Sequence, residues 1–159
     1  MYETLEAIGQ VAIGVAGFSG VIVFLQERDN VADFRLRSLI SLAAEVIFFS
    51  FLPPLLSLVV AQEWKVAALI YAVVHAGQIV WSFVNYRGLD ADRSAGYIPL
   101  DNVLMGIGAL FSVALVACAL LAPVNITQFG YTALLLWALG IAGVQFIRIV
   151  LRRRWNDGT

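Results

Sequence analysis

The chain of 159 residues is 61% hydrophobic and only 13% charged, with a formal net charge of −1 at pH 7. Soluble domains run at about 45–50% apolar and about 25% charged, so the composition speaks against a water-soluble fold. The charge balance offers no basic patch for nucleic acid, and one cysteine, Cys118, excludes an intrachain disulfide or a multi-thiolate metal site.

Apolar runs of about 18 residues or more predict membrane-spanning helices. Five such runs occur, at about 4–25, 36–61, 65–86, 102–122 and 128–151. The predicted fold is therefore all-α: a polytopic integral membrane helical bundle of five transmembrane helices, forming a single transmembrane domain over residues 1–159.

The chain opens with "MYETLEAIGQ", which has two glutamates and no lysine or arginine and runs into the first span. A cleaved signal peptide carries a basic leading region, so this run reads as a retained span. Gly9, Ala12, Ala16 and Gly20 form a stripe of small residues along it. Such spacing lets a second helix backbone approach closely, within the chain or between copies.

The second run, "SLISLAAEVIFFSFLPPLLSLVV", carries Glu45 in its middle and the pair Pro53–Pro54 eight residues later. Ser38, Ser41 and Glu45 are spaced three and four apart, which places them on one helical face. Proline lacks the N–H that would bond four residues back, so a helix break is expected at Pro53 and Pro54. The carbonyls of Phe49 and Ser50 would be left without those donors.

The third run places Tyr71, His75, Gln78, Ser82 and Asn85 at steps of four, three, four and three. Those steps align five hydrogen-bonding side chains on one face, which should turn towards protein or water rather than lipid. The connection "AQEWK" is short, so the second and third spans are expected to be antiparallel neighbours. A hairpin centred near residue 63 would bring Glu45 level with residue 81, between Gln78 and Ser82. Ser41, Glu45, Tyr71, His75, Gln78 and Ser82 thus define a polar seam, a candidate ion or proton site or a buried cluster that fixes helix pairing. His75 or Gln78 would supply donors to the carbonyls freed by the double proline.

The connection after the third run, "GLDADRSAGYIPLDN", sets Asp90, Asp92, Ser94 and Asp101 in part of a calcium-loop frame. Ala95 stands where that frame needs glycine, so the segment reads as a solvated connector, with Asp101 or Asn102 capping the fourth helix. The fourth run offers Gly108, Ser112 and Ala119 as a weaker small-residue stripe, and the fifth offers Ala138 and Ala142. Asn125-Ile126-Thr127 matches a glycosylation acceptor, but in a connection so short that the match reads as coincidence.

Orientation follows from the basic residues, which are retained on the cytoplasmic side. Nine of the ten fall in the first and third connections or at the end of the fifth run, and only Lys65 falls opposite. The N-terminus is expected outside and the C-terminus in the cytoplasm. Trp64 and Trp155 read as interfacial anchors, Trp81 and Trp137 as packing residues.

No catalytic grouping or metal-spaced cluster stands out, and bis-histidine haem ligation would need a dimer because His75 is the single histidine. No cofactor is expected. The function expected from these features is non-enzymatic: an accessory subunit or scaffold of a membrane complex, in a bacterial inner membrane. The alternative is a homo-oligomeric ion channel or small-solute transporter using the polar seam. The expected partners are the lipid bilayer and either further copies or other membrane subunits.

Overall fold

A computed structural model describes residues 1–25, 30–87 and 98–156. Those residues form five helices and no strand: α1 (Tyr2–Leu25), α2 (Asn30–Leu56), α3 (Glu63–Arg87), α4 (Ile98–Leu121) and α5 (Val124–Asn156). Each contains a stretch long and apolar enough to cross a membrane: Tyr2–Val21, Leu36–Leu56, Glu63–Val84, Asn102–Leu121 and Val124–Arg148. The calcium-like frame at Asp90, Asp92 and Ser94 lies outside the described residues, as does Arg28.

Three of the differences from the sequence expectation have a local chemical reason. First, α2 does not break at the double proline. Pro53 and Pro54 lie inside the helix, which continues to Leu56. Proline's fixed φ is compatible with a helical turn, and its cost is the missing donor. Second, α2 ends five residues earlier than hydropathy implies. The Leu56 carbonyl accepts from the N–H groups of Val59 (3.0 Å) and Val60 (2.9 Å), turning apolar residues into a connection. Ser57 closes the end by donating its N–H to the Pro53 carbonyl (3.0 Å) and its hydroxyl to that of Pro54 (2.7 Å). Third, α4 starts at Ile98, so Asp101 and Asn102 lie within the helix rather than capping it. Pro99 occupies the first turn, where an absent N–H has no intrahelical partner to lose.

The chain divides into two compact units, Met1–Phe51 with Leu135–Thr159, and Leu52–Leu134. In the first, α1 approaches α2 closely at Gly9. A Cβ added at Gly9 would sit 3.3 Å from the Ser50 Cβ and 3.8 Å from a ring carbon of Phe51. Leu5, Ile8, Ala12 and Ser19 complete the buried face of α1, and Leu39, Leu42, Ala43, Val46 and Phe49 that of α2.

The second unit holds the end of α2, the α2–α3 turn, α3, α4 and the beginning of α5. Here α3 packs along α4. Gly108, Ser112, Leu115 and Ala119 form the buried face of α4. The α4–α5 connection is drawn tight at Pro123. Thr127, fully buried, donates its hydroxyl to the Cys118 carbonyl (3.0 Å). Gly130 faces Leu115, where an added Cβ would meet a methyl carbon at 3.4 Å. The hydroxyl of the Asn125-Ile126-Thr127 motif is thus committed to joining two helices.

Candidate functional site

The residues of the expected seam divide between the two units: Ser41 and Glu45 lie in the first, Tyr71, His75, Gln78 and Ser82 in the second. On α2, Glu45 is buried, at 5% exposure, while Ser38 and Ser41 are half-buried. The opposite face of α2, through Ile40, Phe48, Phe51 and Leu55, is exposed. A carboxyl group in the middle of an apolar helix therefore turns inward. The hydroxyl of Ser50, one face-turn further on, donates to the Val46 carbonyl (2.7 Å). That bond satisfies the hydroxyl within its own helix, at the residue whose carbonyl loses the Pro54 donor.

On α3 the polar residues and the buried residues share a face. Trp64, Ala67, Ala68, Tyr71, Ala72 and His75 are buried, and Gln78 and Ser82 continue the same face half-buried. Val73, Gly77, Val80 and Val84 mark the exposed side. Side-chain placement at Asn85 lies outside the described residues. His75, at 2% exposure, meets the Tyr71 ring edge-to-face with centroids 5.8 Å apart.

Tyr71 belongs to a larger aromatic assembly that sequence reading missed. Its ring meets Tyr131 of α5 at 5.3 Å, and Tyr131 meets Trp64 at 5.9 Å, almost perpendicular. Trp64, Tyr131, Tyr71 and His75 thus form a continuous buried series. Edge-to-face pairs set the positive rim of one ring against the negative face of the next, contributing about 0.5–1.5 kcal/mol each beyond their area. The tryptophan assignments change accordingly. Trp64, expected as an interfacial anchor, is buried at 3%, and Trp81, expected to pack, is 49% exposed. Ring contact with Tyr131 explains the first; position on the open side of α3 explains the second.

Of the small-residue stripe on α1, the structure uses the first half. Gly9 and Ala12 are buried, Ala16 is half-buried and Gly20 is exposed with nothing within 4 Å of an added Cβ. In α5, Ala138 and Ala142 are fully buried. One further polar group emerges there: Gln145, whose Oε1 is buried without a hydrogen bond among the described residues. Its signal in the sequence was a lone amide inside an otherwise apolar run. Among the described residues, no group of three or more His, Cys, Asp or Glu is placed to hold a metal ion.

The chain matches no family model, and no curated protein or solved structure shows significant similarity to it.

Proposed function

We propose that the protein is a non-enzymatic integral membrane protein, an accessory subunit or scaffold of a membrane complex. The observation that supports this reading is the distribution of polar side chains within five membrane-length helices. Glu45 and His75 are packed inside, while the outer surfaces of the helices are broadly apolar. A small chain with wide apolar faces has the surface needed to bind lipid and neighbouring membrane chains together. On this proposal the membrane is a bacterial inner membrane, with the N-terminus outside and the C-terminus cytoplasmic; the orientation is supported by basic residues that concentrate on one side of the spans.

A second reading, a homo-oligomeric channel or small-solute transporter, draws on the burial of ionisable groups at Glu45 and His75. Intramembrane ionisable residues are functional candidates by default. On that reading the polar seam carries an ion or proton.

The mass and composition of the particle extracted gently from its native membrane separate the two. Co-purification with other chains at fixed stoichiometry is the expected result. A homo-oligomer of defined size would overturn the scaffold reading and transfer attention to flux. Glu45→Gln then provides an independent check, because the amide keeps hydrogen-bonding capacity but not the charge. A scaffold should assemble as before with that substitution, whereas a channel would assemble and lose flux.

A further inference from the structure

The apolar span of α5 ends at Arg148, but the helix continues to Asn156. At 1.5 Å per residue its 33 residues extend about 50 Å, against the ~30 Å of a hydrocarbon core. The continuation includes Arg152, Arg153 and Arg154 and no acidic residue, while the first turn of α5 at the other end has no charge. The charge on this helix is therefore one-ended.

The helical register gives that charge a particular form. Consecutive residues advance by about 100°, so positions 152, 153 and 154 are spread around the axis rather than gathered on a face. Position 148 lies one turn before 152, on the same side. A helix resting flat on a membrane surface needs basic residues segregated to one side. A ring of basic positions at nearly one depth instead suits a helix standing through the headgroup layer, where phosphates approach from all directions.

We infer that the extension of α5 is a binding collar for anionic phospholipid headgroups. The inference rests on the proposal that α5 crosses the bilayer. Arginine is the fitting residue, because its planar guanidinium pairs two N–H groups with a phosphate. Each basic residue held near an anionic surface raises association by about fivefold. Neighbouring lipids should therefore be enriched in phosphatidylglycerol over phosphatidylcholine, and the enrichment should fall with ionic strength.

The test reconstitutes the full chain in phosphatidylcholine vesicles containing trace spin-labelled phosphatidylglycerol or phosphatidylcholine. Electron paramagnetic resonance then separates lipids held at the protein from bulk lipids. The expected result is an association ratio of about five or more in favour of phosphatidylglycerol, falling towards one in the R152Q/R153Q/R154Q variant and at high salt. A wild-type ratio of one, or a variant that retains the wild-type ratio, overturns the inference. Inorganic phosphate at constant ionic strength should leave the ratio unchanged; loss of preference under phosphate would identify a free-anion site and overturn the lipid assignment. If the triple variant does not incorporate, R153Q alone should lower the ratio measurably, and an unchanged ratio again overturns it. Absence of any protein-held lipid signal would instead remove the membrane-spanning reading on which the inference stands.

Discussion

Helices α1 and α3 solve one packing problem in opposite ways. On the proposed membrane-spanning reading, the surrounding lipid tails are as apolar as leucine, so helices gain little by hiding greasy surface from water. They associate through close contact. In α1 the side chain is removed: Gly9 lets the backbone come within contact distance of Ser50 on α2. In α3 the side chains are large and interlock, with Trp64 and Tyr71 both seated on Tyr131. The first arrangement is intolerant of added atoms, the second of missing ones. That asymmetry gives the comparison its tests.

The largest effect belongs to Tyr131→Ala. Tyr131 is fully buried and its ring meets both Trp64 and Tyr71, so truncation removes two ring contacts and leaves a cavity. Loss of a buried aromatic ring costs about 3–5 kcal/mol in well-packed interiors. Unfolding by SDS titration in mixed micelles should show a destabilisation of at least about 3 kcal/mol. A value near zero would mean that the rings touch without holding α3 and α5 together. Gly9→Leu comes next, at about 1–3 kcal/mol by the same assay, because overpacking can be relieved by helix displacement. Gly9→Ala should cost far less, since its Cβ would need only a few tenths of an ångström from Ser50. Equal costs for the two substitutions would contradict the close-approach account.

A smaller effect is expected at Thr127→Val. The substitution keeps the shape and removes the hydroxyl that bonds to the Cys118 carbonyl. A single neutral hydrogen bond contributes about 1 kcal/mol net. Amide hydrogen exchange at the start of α5 should quicken in proportion, with the α1–α2 contact unaffected. Protection lost across α1 as well would show that the α4–α5 connection is coupled to more than its own unit.

The two packing modes were unequally legible in the sequence. The buried face of α3 was readable in part: of the hydrogen-bonding residues that repeat at three and four, Tyr71 and His75 are buried and Gln78 and Ser82 half-buried. Glu45 was readable for the same reason, as a carboxyl group on the Ser38–Ser41 face. Tyr131 was not, because a lone tyrosine in an apolar run has no periodic signature, and its partners Trp64 and Tyr71 are distant in sequence. Helix ends were misread where chemistry outweighed hydropathy. Pro53 and Pro54 were compatible with the last turn of α2, while the apolar residues Leu58 to Val60 were drawn into a connection by backbone bonds to Leu55 and Leu56. The small-residue stripe of α1 marked where a helix could approach, but spacing alone could not say that Gly9 would be occupied and Gly20 open.

Gly20→Leu is the smallest expected effect and the most informative about surroundings. Gly20 shares the stripe with Gly9, yet an added Cβ there meets nothing within 4 Å. In the isolated chain, replacing it should be neutral or stabilising by up to about 1 kcal/mol, because glycine is the weaker helix former. The same substitution in the particle extracted from native membrane asks a different question. An unchanged particle mass would mean that the open half of α1 faces lipid. A smaller particle with unchanged chain stability would mean that another chain approaches at Gly20 as α2 approaches at Gly9. The contrast between occupied and open halves would then describe two interfaces of one stripe, one within the chain and one outside it.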